Sequence, residues 1–181
     1  MKKVLLFSLL FFSTLGVFAY ETIIFHFPDG ELWEAAYYRK RGSEAILQYV
    51  PGGQTSNNWS RTIVVHSYNE NDAPATFFSQ QEMRKMRRIN PMGKYSIIKS
   101  KENDVILTRC TEKYKELPAH CEFLRVTRGH GGIVTMQYMN RDKKDFENNY
   151  TLWLQVMRDA RLFNSYYRTE RTFDKAIQYE L

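Results

Sequence analysis

Alternation of apolar and polar positions carries most of the structural signal in this chain. Glu21–Phe27 alternates with Ile23, Phe25 and Phe27 on one side, and Pro28-Asp29-Gly30 then marks a turn. Leu32–Arg39 and Glu44–Val50 flank Lys40–Ser43 and predict a hairpin. Pro51–Asn58 is loop-like. Trp59–Tyr68, β-branched at Ile63, Val64 and Val65, predicts a strand. The period then lengthens. Asp72 or Asn71 can cap a helix that begins near Pro74, because proline suits a first helical turn, and Asn90-Pro91-Met92-Gly93 stops it after about Ile89. Tyr95–Lys99 returns to strand and turns at Lys101–Asp104. Asp145 can cap a second helix over about Phe146–Phe163. Phe146, Tyr150, Trp153, Met157 and Ala160 form its core-facing stripe, and Leu152, Val156 and Phe163 a second apolar line. The tail Asn164–Leu181 holds Tyr166, Tyr167, Phe173 and Ile177 among charges and predicts a short packed element.

Between the helices the residues propose their own register. With Cys110 opposite Cys121, Arg109 faces Glu122, Leu107 faces Leu124 and Val105 faces Val126, so one face is apolar and ends in an opposite-charge pair. Thr108–Phe123 and Ile106–Arg125 share the other face with the cysteines. The loop Arg128–Gly132 returns the chain to Ile133–Met139, and Val126 opposite Val134 would place Leu124 opposite Met136. The order strands, helix, strands, helix predicts an α+β fold: a single mainly antiparallel sheet with two helices packed on it. That order is similar to the extrinsic photosystem protein PsbP and its relatives, a likeness of fold that implies no function.

The amino terminus reads as an address. Met1-Lys2-Lys3 is basic, Val4–Phe12 is apolar apart from Ser8, and Val17-Phe18-Ala19 supplies a cleavage site before Tyr20. The apolar run is shorter than the roughly 20 residues that span a bilayer. The expectation is a signal peptide over residues 1–19 and a single α+β domain over 20–181, periplasmic or secreted. The only cysteines are Cys110 and Cys121, so no lipid-anchoring cysteine follows the leader. In an oxidising compartment the two are expected to form a disulfide, and closing so short a loop stabilises a fold by about 3 kcal/mol. The chain is 43% hydrophobic and 25% charged, values that exclude a disordered or multi-span membrane protein. Its net charge of +6 falls to +4 without Lys2 and Lys3. So modest a charge outside the cytoplasm argues against nucleic acid.

Tyr49-Val50-Pro51-Gly52-Gly53-Gln54-Thr55 followed by Asn58-Trp59-Ser60-Arg61 resembles a pattern in small exported proteins of proteobacteria. The resemblance supplies no catalytic residue and implies a bacterial cell-envelope or secreted protein. On its own terms, Asn58 can bond the loop backbone and Trp59 can plug one end of the core.

Candidate chemistry is sparse. At 100° per residue, Ala75, Phe78, Met83, Met86 and Ile89 share one arc of the first helix, and Arg84, Lys85, Arg87 and Arg88 the opposite one. Four exposed cations suit phosphate, lipopolysaccharide, anionic lipid or an acidic protein patch, and they equally suit a solvated face near a helix C-terminus. His26, His66, His120 and His130 lack close metal spacing, and no metal or other cofactor is expected. His120 and Cys121 are adjacent in a strand and point to opposite faces, so they do not form a nucleophilic pair. Arg128–Gly132 lacks the lysine and the strand–loop–helix context of a phosphate loop and reads as a hairpin bend. No catalytic residue is singled out. The expected function is non-enzymatic binding of a protein or other envelope component. The alternatives are a small hydrolase or ligand-binding protein, and a binder of anionic lipid or lipopolysaccharide through the basic helix. The sequence sets no oligomeric state.

Overall fold

The computed structural model describes residues 21–164 except Asp29, Glu70, Lys94, Glu116 and Leu117. The expected signal peptide over residues 1–19 and the tail residues Tyr166, Tyr167, Phe173 and Ile177 lie outside the described residues. The elements are β1 (Glu21–Ile24), β2 (Trp33–Arg41), β3 (Glu44–Pro51), β4 (Arg61–Asn69), α1 (Ala75–Ile89), β5 (Ser96–Lys101), β6 (Asp104–Thr111), β7 (His120–Arg128), β8 (Gly132–Asn140), α2 (Lys143–Asn148), α3 (Tyr150–Asp159) and β9 (Arg161–Asn164). Seven strands form an antiparallel sheet in the order β2-β3-β4-β8-β7-β6-β5.

Two expectations of the architecture need correction. The single sheet is two sheets, because β1 pairs with β9 in a separate two-stranded ribbon. The two helices are three. Asp142, not Asp145, caps α2, its carboxylate accepting the Asp145 N–H at 3.0 Å. The Asp145 carboxylate instead accepts from the side-chain amides of Asn140 and Asn149 at 2.7 and 2.9 Å. Asn149 divides α2 from α3. Arg161–Phe163 leaves the expected helix for β9, where its backbone pairs with β1. The stripe itself is core as expected: Phe146, Trp153, Met157 and Ala160 are buried, and Tyr150 is half-buried against the same core. At the start of α1, Pro74 occupies the N-cap position without a side-chain cap, and Asn71 spends its carbonyl on the Ala73 N–H.

The β6–β7 register is the expected one at every pair from Val105–Val126 to Cys110–Cys121, and the two cysteines form a disulfide. The β7–β8 register differs by one residue: Val126 faces Thr135, and Arg125 faces Met136. A one-residue slip turns every side chain to the opposite face. Val134, Met136 and Tyr138 therefore join the larger core with Phe123, Phe146 and Trp153, and Ile133 joins the smaller one under α1. The turn decides this. Arg128 faces Ile133, and Gly129 donates its N–H to the Gly132 carbonyl at 2.8 Å. The Glu21 carboxylate fills the bend, accepting the His130 and Gly131 N–H groups at 2.9 Å each. A Cβ at Gly129 would run into that carboxylate, and one at Gly132 into the Tyr68 carbonyl.

One face of the large sheet is covered by α2, α3 and the β1–β9 ribbon, with Trp153 stacked on Tyr138 at 3.9 Å between ring centres. Trp59 does not plug this core: Trp33 and Trp153 are the buried tryptophans, while Trp59 is half-buried with the Arg141 guanidinium 4.1 Å above its ring. Asn58 ties the loop through its backbone, exchanging hydrogen bonds with Thr55. The second face carries α1, the one helix among the described residues on this side, packed on β6 and β7 and reaching β5.

Candidate functional site

Because α1 lies over the β5–β6–β7 half, no helix among the described residues packs broadly on β2, β3 and β4. The registers lay out the floor of this open half. One row runs Tyr37, Gln48, Val64, Gln137; the next runs Arg39, Ile46, His66, Thr135. A bulge between Ala35 and Tyr37 brings Tyr37 and Arg39 onto this face. Tyr37 is 39% exposed, Arg39 is exposed, and Ile46, Val64 and His66 are half-buried. The floor amides are held internally. Gln48 donates to the Thr62 hydroxyl at 3.1 Å and Gln137 to the Glu122 carboxylate at 2.6 Å. The Pro51–Ser60 loop borders this half, with Gln48 also reaching the Ser56 carbonyl.

His66 stands where two cationic rims converge. Its ring stacks on Tyr68 at 3.8 Å, and Nε2 is 3.7 Å from a Glu44 carboxylate oxygen, beyond hydrogen-bond range. Burial lowers its pKa, Arg39 of β2 and Lys85 of α1 lower it further, and Glu44 opposes them. The Tyr68 phenol is pushed up by burial and by Glu82 and Glu44. An open depression of about 360 Å³ adjoins the site, lined by Ser43, Glu44, Tyr68, Asn69, Asn71 and Asp72.

The four basic helix residues are exposed together on α1. Lys85 lies 3.7 Å from Glu82, whereas Arg84, Arg87 and Arg88 have no ion-pair partner among the described residues. The apolar arc is less complete than expected. Ala75 and Phe78 are buried and Met83 and Met86 half-buried, but Ile89 is 41% exposed.

The remaining candidates separate. His26 is exposed in the segment after β1, whose ribbon covers the other face, so the sheet stands between it and His66. No group of three metal-ligating side chains occurs among the described residues. Cys121 is buried in the larger core and bonded to Cys110, and His120 turns instead toward Glu122. The Arg128–Gly132 bend does hold an anion, and it is the chain's own Glu21.

The expected Arg109–Glu122 pair is real and buried, at 2.6 Å from Nε to Oε1. Its full extent was not visible in the pairing. The Tyr95 hydroxyl donates to the same carboxylate at 2.9 Å, Gln137 donates from β8, and His120 Nε2 stands 3.5 Å away. Burial raises the Glu122 pKa, but His120 and Arg109 outweigh it and hold the carboxyl at about 2. Burial and the same carboxylate push the Tyr95 phenol well up. Both Glu122 carboxylate oxygens thus accept from side chains of neighbouring strands and of Tyr95.

No helix among the described residues is long and apolar enough to cross a membrane, which together with the disulfide is compatible with export. No curated protein and no solved structure matches the chain. A family model does match it over residues 26–163, from the segment after β1 into β9, and the chain belongs to that uncharacterised family of bacterial proteins.

Proposed function

We propose that this is an exported, non-enzymatic binding protein that docks a protein partner, in the bacterial envelope or outside the cell, on the open half of its sheet. In this reading residues 1–19 are the cleaved leader, residues 20–181 form one domain, and the PsbP-like order of elements concerns fold alone. The observation that carries it is the half-face on which no helix among the described residues packs broadly, whose floor of Tyr37, Ile46, Val64 and His66 lies between cations on β2 and on α1. A broad floor rimmed by arginine and tyrosine suits a macromolecular contact better than enclosure of a small substrate.

The test is site-specific photocrosslinking in cells, with the crosslinker at Tyr37, at Val64 and, as control, at Leu152. Leu152 is 40% exposed on α3, across the sheet. One partner species joined at Tyr37 and Val64 and absent at Leu152 is expected. Equal labelling at all three positions would remove the reading.

The rival, a small hydrolase or ligand-binding protein, draws on the His66–Glu44 couple beside the depression. A turnover abolished by His66→Gln, with crosslinking at Tyr37 unchanged, would favour it.

A further inference from the structure

The corner where α1 ends combines two features that a solvated helix face does not need together. The first is charge. Arg84, Arg87 and Arg88 are exposed within two turns, and no described carboxylate pairs with them. Guanidinium groups bind phosphate oxygens in paired, planar hydrogen bonds. The second is outward-turned apolar surface. Ile89 is 41% exposed, Met92 79% and Ile97 60%. Ile97 pairs with Leu107, whose face α1 covers, so it belongs to the same side of the sheet.

Met92 is held out by a built turn. Asn90 is buried, its N–H bonds the Met86 carbonyl at 2.8 Å, and its side-chain oxygen accepts the Met92 N–H at 3.1 Å. Gly93 then donates to the Asn90 carbonyl at 3.1 Å and fits closely over the Arg109 guanidinium. The side chain with the highest exposure among the large apolar residues described is thus presented by a locked turn beside three unpaired arginines.

We propose that this corner is a docking surface for an anionic bilayer: Arg84, Arg87 and Arg88 bind headgroup phosphates, and Met92, Ile89 and Ile97 enter the interface between them. Charge complementarity supplies attraction, and shallow apolar insertion supplies the part that salt does not screen. The surface lies toward the β5 edge of the sheet, and Tyr37 lies on β2 at the other edge. The inference is independent of the partner docking argued above, and its experiment can fail while the crosslinking succeeds.

The experiment is flotation of the mature exported protein with phosphatidylcholine vesicles, with and without phosphatidylglycerol, at low and high salt. Binding only to the phosphatidylglycerol vesicles is expected. The R84Q/R87Q/R88Q triple variant should lower partitioning by about tenfold or more. The M92S/I97S variant should bind at low salt and lose the salt-resistant fraction. All five substituted side chains are exposed, and circular dichroism melts matching the parent confirm that folding is intact. Equal binding to neutral and anionic vesicles, or a triple variant that binds as well as the parent, would overturn the proposal. So would full competition by millimolar inorganic phosphate, which would make the ligand a free anion. Equally tight binding of polyglutamate, lost in the same triple variant, would assign the corner to an acidic protein and likewise overturn it.

Discussion

Arg109 and Arg125 stand on neighbouring strands of one hairpin, and the sheet sends them to opposite faces. Arg125 spends every guanidinium nitrogen. Nε and Nη2 donate to the Asp104 carboxylate at 2.9 and 3.2 Å, and Nη1 donates to the Met157 and Ala160 carbonyls at 2.6 Å each. It thus terminates α3 and ties that helix to β6, a cationic side chain meeting helix-end carbonyls. Arg109 is more deeply buried and less well supplied. It has Glu122 at 2.6 Å and the Tyr95 ring at 4.7 Å, and its Nη2 is buried without a protein hydrogen-bond partner. Burial alone does not rank two ion pairs. The satisfied arginine joins elements; the less satisfied one depends on a single carboxylate.

That difference can be broken most sharply at Glu122. Replacing it with Gln leaves the Arg109 charge buried and uncompensated, which should cost about 3–5 kcal/mol in urea unfolding. The R109M/E122L double variant should recover most of that loss, since no charge is then stranded. A double variant as unstable as the single one would show that the charge pair is not the source.

Arg125→Met should cost less, about 2–3 kcal/mol from its charged hydrogen bonds. The loss should appear first as faster amide exchange in α3 and β9. Uniform acceleration across the sheet would contradict a role in tying down that helix.

Acid titration gives the smallest and finest comparison. Glu122 has an ordinary value of 4.5 and is held at about 2; Asp104 is lowered from 3.8, the bonds from Arg125 and Lys99 outweighing the burial that would raise it. Both carboxyls bind protons more weakly folded than unfolded. Their stabilisation is complete above the unfolded values and drains away as pH falls toward the folded ones. Denaturant melts of the parent should lose stability between about pH 4.5 and 2, and E122Q should flatten that slope while leaving the Asp104 share. An unchanged slope would count against Glu122 as its source.

Much of this was legible in particular residues. The β6–β7 register could be read because only one alignment makes Val105–Val126, Leu107–Leu124, Arg109–Glu122 and Cys110–Cys121 agree at once. The β7–β8 register could not, because apolar residues occur on both sides of β8. Ile133 and Val134 each suit a core, and the choice falls to Glu21, 109 residues away from His130 in sequence. The second helix was overextended for a related reason. Leu162 and Phe163 continue an apolar line, but their backbone completes β1 instead. The basic helix face was visible as a pattern, while the protruding Met92 and Ile97 and the confinement of α1 to one half of its sheet face were not.

Local pattern alone determined the strands of the large sheet, where α1 runs, which cysteines meet and which charges sit across from each other, because side-chain period and cross-strand pairing are short-range properties of the chain. Tertiary structure decided the β8 register, the break into α2, α3 and β9, and which half of a sheet face α1 covers. Those outcomes depend on buried carboxylates and backbone edges finding partners far away in sequence, and such requirements leave no periodic trace.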